Sequence, residues 1–138
     1  MVISQHYGPS GQVFYAGSYP EDRDGPVWFD STRELFVDRF TAVDRGREPV
    51  ATYVTDYSSV EYAIAEEDGD QYISTHVGDD TFVLATEAVF VVESDVLGAM
   101  GSELLPFGSE DDGKYFAETH GGGVVDYGEV TPELVGGL

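Results

Sequence analysis

The strongest constraint on this chain is a pattern that occurs twice. Residues 27–31 read Val-Trp-Phe-Asp-Ser ahead of a helical stretch, and residues 105–109 read Leu-Pro-Phe-Gly-Ser ahead of another. Each helical stretch is followed by an apolar run that closes on Asp-Tyr, at Asp56-Tyr57 and at Asp126-Tyr127. A strand–cap–helix–strand unit has to bury the apolar stripe of its helix against a sheet. Two such units packed together are the expected solution. The expected fold is therefore α+β: two related ββαβ modules in one domain over 1–138, with small mixed or antiparallel sheets and one helix packed on each. The internal repeat spans about 10–57 and about 71–135.

The local signals fill in this frame. Residues 12–16 (QVFYA) and 26–29 (PVWF) are short, aromatic and β-prone, joined across a polar turn at 20–25, and so predict a hairpin. Ser31 with Glu34 three residues on has the capping-box spacing, so a helix starts there and stops near 42–46. Residues 51–55 form the next strand. Val60, Tyr62 and Ile64 alternate, residues 66–70 make a turn, and residues 71–76 are the hairpin partner. Residues 81–86 read as a short helical turn or loop. Residues 88–92 (AVFVV) are a continuous apolar run and predict a central strand buried on both faces. After the strand at 104–107, Ser109 is placed as an N-cap with Asp112 at N3, and the helix runs to about Thr119. Gly121 is expected to end it in the left-handed conformation. Thr131 and Pro132 open a last helical turn.

Charge and cysteine content narrow the function. The chain has 27 acidic and 6 basic residues and a net charge of −21. The charge is uneven, with five bases against eight acids in residues 1–50 and one base, Lys114, against nineteen acids thereafter. Charge attraction to nucleic acid or to an anionic membrane is excluded. The acids are scattered and lysine is scarce, which fits solubility in high salt, where self-repulsion is screened. The alternative is a nucleic-acid mimic that occupies a basic groove. No cysteine is present, so disulfides, thiolate catalysis and thiolate metal sites are out. The chain has no apolar run of membrane-spanning length, and residues 1–11 lack a basic n-region and a long h-region, so no secretory signal is expected.

None of the common catalytic motifs is present: no G-x-S-x-G, H-E-x-x-H, P-loop or dinucleotide-binding glycine pattern. The acidic clusters also miss the calcium-loop spacing. Two side chains that soft metals accept bracket residues 97–124. Met100 stands among Gly98, Ala99, Gly101 and Ser102, a small-residue loop that suits display of a thioether and not core filling. His120 ends the second helix, where an ordinary role beside the helix dipole competes with a ligand role. His6 and His76 are far away in sequence. Thioether with imidazole support suits Cu(I).

The stretches GAMG-SELLPF, a helix ending in His-Gly-Gly, and VVDYGEVTPEL resemble the C-terminal part of the NosL family, accessory proteins of nitrous oxide reductase maturation. PVWFDSTRELF, ATYVTDYSS and GPSGQVFYA resemble its first half, so the resemblance covers nearly the whole chain. It implies two related ββαβ modules, a Cu(I)-binding chaperone outside the cytoplasm, often lipid-anchored, and no enzyme activity. The implied partners are the copper ion and a recipient copper enzyme or its assembly factors. No nucleic acid is implied, and membrane contact comes only through an anchor absent from this chain. Met100 is the best ligand candidate, His120 a weaker one, and Met1 a third. The family's opening Cys-Gly-Met-type motif supplies a copper-binding cysteine, whereas this chain opens Met1-Val2-Ile3-Ser4. Either the start falls just inside that motif, or this member lacks the thiolate and binds Cu(I) more weakly. The competing reading is a metal-free acidic interaction protein, a degenerate scaffold of this type or a nucleic-acid mimic.

Overall fold

In the computed structural model, residues 7–15, 27–76, 81–98 and 101–137 are described. Met1, His6, Met100 and the polar turn expected at 20–25 lie outside them.

The first module begins with β1 (Gly11–Tyr15) and β2 (Val27–Phe29), an antiparallel pair in the register Gly11 to Phe29. Helix α1 (Thr32–Asp44) follows, and then β3 (Pro49–Thr55), which pairs antiparallel with the other side of β1. Ser31 caps α1: its Oγ accepts the Glu34 N–H at 3.2 Å. The helix unwinds into Gly46, whose φ of +84° is cheap only for glycine. Residues 81–86, expected to be a helical turn or loop, are instead β6 (Phe82–Leu84) followed by a 3₁₀ turn at Ala85–Glu87. Three residues are too few to show a period. β6 exists because it can pair with Tyr53–Thr55 of β3. The sheet order is β2-β1-β3-β6.

The second module has the same connectivity. β7 (Val89–Val92) is central, as its apolar run predicts, with β9 (Leu105–Phe107) on one side and β10 (Gly123–Asp126) on the other, all antiparallel. α2 (Glu110–His120) lies between β9 and β10 in sequence and packs on β7, β9 and β10. Two helix-end details differ from expectation. Ser109 occupies the N-cap position of α2, but its side chain makes no capping bond. Gly121 has the expected positive φ of +81°, yet its ψ of 167° is extended and not the left-handed helical value. Gly122 turns next with φ +99°, its backbone so close to β7 that an added Cβ would sit 2.3 Å from the Val92 carbonyl oxygen.

Between the modules lies a third sheet. β4 (Ile64–Glu67) and β5 (Asp70–Ile73) form a hairpin, and β8 (Val96–Leu97) joins β5 in parallel, giving the order β4-β5-β8. The first strand of the hairpin is shifted from the expected 60–64 into the expected turn at 66–70, because the reversal is confined to Asp68 and Gly69, both at positive φ. The chain closes with α3 (Pro132–Gly136), capped by Thr131, against α1.

Two apolar cores result. One joins the inner faces of both modules through Val13, Leu35, Phe36, Val54, Phe90 and Leu104. The other gathers Tyr57, Ile73, Val91, Leu105, Phe107 and Phe116 beneath α2 and the third sheet. Tyr57 leaves the first module at the end of β3 and is buried in this second core, its hydroxyl donating to the Ser74 carbonyl at 2.9 Å. Burial drives its phenol pKa well above the ordinary value.

Candidate metal centre

Strand β8 delivers the chain to Gly98, which exchanges backbone hydrogen bonds with Gly101 at 2.9 and 3.2 Å. Met100 stands between these two glycines in sequence. Gly101 has φ +104°, a backbone that favours glycine in this bridge. Gly98 is needed for space. A Cβ there would lie 2.6 Å from Glu103 Cγ and 3.3 Å from Gly8 Cα.

That second contact brings the N-terminal segment to the same place. Tyr7 and Gly8 run along β5 just beyond the point where β8 leaves it. Gly8 N donates to the Ile73 carbonyl at 2.7 Å, the Thr75 hydroxyl donates to the Gly8 carbonyl at 2.6 Å, and Tyr7 bridges Ser74. The Tyr7 ring stacks on Tyr72 at 5.2 Å, which fixes the direction in which the N-terminal segment meets the third sheet. So the backbone at Gly8 and at Gly98 approach closely.

His120 is held elsewhere, by the two residues that precede β8. Its carbonyl accepts the Asp95 N–H at 2.9 Å and the Ser94 hydroxyl at 3.1 Å. Asp95 is three residues before Gly98, so this anchor and the Gly98–Gly101 bridge stand about 10 Å apart along extended chain. The His120 ring lies against Phe116 at 4.6 Å between centroids and makes no hydrogen bond to the described residues. His76 is engaged separately: its Nε2 is 2.9 Å from Ser74 Oγ, and its ring meets Tyr57 edge-on. Among the described residues, no three His, Asp or Glu side chains converge on one point that could hold a metal ion.

Beneath the Gly98–Gly101 bridge sits a buried acid that nothing in the sequence singled out. Glu103 is 3% exposed. It accepts hydrogen bonds from the Ser31 hydroxyl, from the Thr32 hydroxyl at 2.8 Å and from the Arg33 N–H at 2.9 Å. A carboxylate from the second module thus caps the first turn of α1, where unpaired N–H groups and the helix dipole favour an anion. Burial still dominates and raises its pKa above the ordinary carboxylate value, against the lowering effect of these donors.

The first module returns the contact. Asp56 accepts the Gly108 N–H at 2.7 Å and the Ser58 N–H at 2.9 Å on one oxygen and the Ser59 hydroxyl at 2.6 Å on the other. Ser58 Oγ accepts the Ser109 N–H at 3.1 Å. The approach to α2 is therefore held from the end of the first module. Two of 27 acids lock the modules together, and no local signal separates them from the solvated rest.

The comparisons with known proteins agree with this architecture. The NosL family model matches residues 1–135. The chain is 39% identical over 57 residues to the copper-binding lipoprotein NosL of Stutzerimonas stutzeri, a match covering 41% of this chain and 30% of that protein. The crystal structure of the copper chaperone NosL from Shewanella denitrificans superposes with a TM-score of 0.67 at 27% identity, over 96% of this chain and 86% of that one. The solution structure of apo-NosL from Achromobacter cycloclastes gives 0.51 at 26% identity, over 91% and 87%. Among the described residues, no helix is long and apolar enough to cross a membrane. With its two ββαβ modules and a family match from Met1 into α3, the chain belongs to the NosL family.

Proposed function

We propose that this protein carries Cu(I) as cargo for the assembly of a copper enzyme of the nitrous oxide reductase type, and that it is not itself an enzyme. The observation that supports this most is the contact between Gly8 and Gly98. A site drawing one ligand from Met100, between Gly98 and Gly101 in sequence, and another from Met1, ahead of Gly8, would draw on segments that flank that junction. Thioethers are soft, uncharged ligands that suit Cu(I) and need no deprotonation. His120, anchored at the far end of β8, is the third candidate ligand. With no cysteine in the chain, such a site holds the ion loosely and exchanges it readily with a recipient. The full-length form is read as extracytoplasmic and membrane-anchored, and the net charge of −21 as an adaptation to salt.

Cu(I) titration under reducing conditions against a competing chelator tests the cargo. One equivalent is expected to bind, and Met100→Ala is expected to weaken binding. Equal affinity in wild type and variant would remove Met100 from the site. The absence of cysteine favours a second reading, an acidic interaction protein without metal. Failure of wild type and variant alike to bind Cu(I) would select it.

A further inference from the structure

The opening half of β3 lines a concavity that the copper reading does not use. β1 and β3 pair regularly as far as Phe14 and Ala51, then slip so that Tyr15 meets Pro49. Val50 is the extra residue of that bulge, and bulges re-aim the side chains beside them. Here β3, the end of β6, Arg39 of α1 and Tyr127, which opens the 3₁₀ turn Tyr127–Glu129, enclose a cavity of about 310 Å³. It stands at the opposite end of β3 from Thr55, whose N–H donates to the Ser10 carbonyl, close to Gly8 in the chain.

Arg39 is the cation of this cavity, and it is held on two sides. Its Nε–H donates to the Thr52 hydroxyl oxygen at 3.2 Å, and its guanidinium lies over the Tyr127 ring, 5.5 Å from the centroid. Tyr127 in turn packs on Phe36 of the first core. A guanidinium oriented in advance loses little freedom on meeting an acceptor. The N–H groups of both terminal nitrogens have no acceptor among the described residues, and Arg39 forms no ion pair with them. Thr52 adds a second unmatched donor. It is 6% exposed, its oxygen takes the Arg39 N–H, and its own proton has no acceptor among the described residues. Thr86 brings a further hydroxyl, and no carboxylate lines the cavity in a chain with 27 acids.

We propose that this cavity binds a small monocarboxylate with a short apolar body. The fork of a guanidinium matches the two oxygens of a carboxylate, and the Thr52 hydroxyl beside it has a proton for the same anion. Pro49, Val50 and Leu84 give the apolar wall along which a short hydrocarbon chain lies. A single cation selects a monoanion: a phosphate dianion needs a second one, and the rest of the chain repels each added negative charge. Size sets the affinity. A cavity of about 310 Å³ is at the bottom of the range for ligand sites, and a ligand of about six heavy atoms binds with a Kd of about 1 mM. The proposal does not depend on metal binding.

Butanoate is the probe, titrated at fixed pH and ionic strength into isotope-labelled protein while the Arg39 Nε–H and Thr52 backbone amide resonances are followed. Butanamide, its neutral isostere, and inorganic phosphate are the comparison ligands. Saturable shifts of both resonances are expected with butanoate, at an affinity about tenfold or more above that of either comparison ligand. Arg39→Lys keeps the charge but loses the fork, and should weaken butanoate about tenfold, read at Thr52. Val50 lines the cavity and is 68% exposed, so Val50→Glu leaves the core intact and adds a carboxylate at the cavity's lip. It too should weaken butanoate about tenfold, with native circular dichroism. No saturable shift with butanoate would overturn the proposal. So would equal binding of butanamide, because apolar filling alone would then suffice, and so would tighter binding of phosphate. Unchanged affinity in folded Arg39→Lys or Val50→Glu would place the anion elsewhere and overturn it as well.

Discussion

Replacing Glu103 should separate its two contributions, hydrogen-bond acceptance and buried charge. In Glu103→Ala, three donors lose their acceptor. The Thr32 hydroxyl has a second acceptor in the Leu104 carbonyl at 2.5 Å and can turn to it fully. The Ser31 hydroxyl and the Arg33 N–H have none, and Ser31 is 1% exposed. Two orphaned buried donors at about 1–3 kcal/mol each, less the relief of removing a desolvated carboxylate, give a loss of about 2–4 kcal/mol. For a domain of this size that is roughly a 10 °C fall in melting temperature. Urea unfolding followed by circular dichroism, at fixed high potassium chloride to screen the net charge, measures it. Glu103→Gln retains an oxygen for Thr32 and Arg33 and orphans only the Ser31 hydroxyl proton, which then faces an N–H, so it should cost about 1–2 kcal/mol, less than alanine. The two profiles should differ with pH. Because burial raises the Glu103 pKa above 4.5, the folded state holds this proton more tightly than the unfolded state. Its contribution to stability is therefore fully present below 4.5 and is lost as pH rises through the higher folded value. Glutamine lacks that loss, so Gln should gain on wild type across this window. An alanine variant within about 0.5 kcal/mol of wild type would refute the clamp. Parallel pH profiles for Gln and wild type would refute the buried charge.

Gly122→Ala would drive a Cβ to 2.3 Å from the Val92 carbonyl oxygen at φ +99°, so the β7–β10 pairing has to shift. A loss of 3 kcal/mol or more, roughly, is expected in chemical denaturation, against about 1 kcal/mol or less for Gly46→Ala, which has the same sign of φ and open space. Tyr57→Phe removes the hydrogen bond to the Ser74 carbonyl but keeps the buried ring, so it should cost about 1 kcal/mol. Hydrogen exchange should place that loosening at Ser74 and β5, next to the Gly8 contact.

Much of the fold was legible because it is local. The Ser31 cap, the Thr131–Pro132 start and the apolar run of β7 are written within a few neighbouring residues, where spacing alone distinguishes helix from strand. The doubled strand–cap–helix–strand pattern gave the modules, and the stretches GAMG-SELLPF, His-Gly-Gly and VVDYGEVTPEL gave the family to expect. The segments that depend on distant partners were not legible. β6 is three residues long and needs β3 to be a strand, and β8 is two residues long and needs β5. Ser109 had the right spacing for a cap, but its backbone N–H and that of Gly108 are held instead by Ser58 and Asp56, which no local pattern foretells.

By itself, then, the sequence determined which soft side chains a candidate site can draw on and the kind of module that carries them. The chain has thioethers and imidazoles but no thiolate, on two ββαβ units under a heavy negative charge. Only the tertiary structure decided which acids are structural and which distant backbone segments meet. Glu103 reaches Ser31 across 72 residues, and Gly8 reaches Gly98 across a sheet that neither module contains. The physical reason is that burial and close backbone approach arise from packing between units, and no local pattern of residues encodes them.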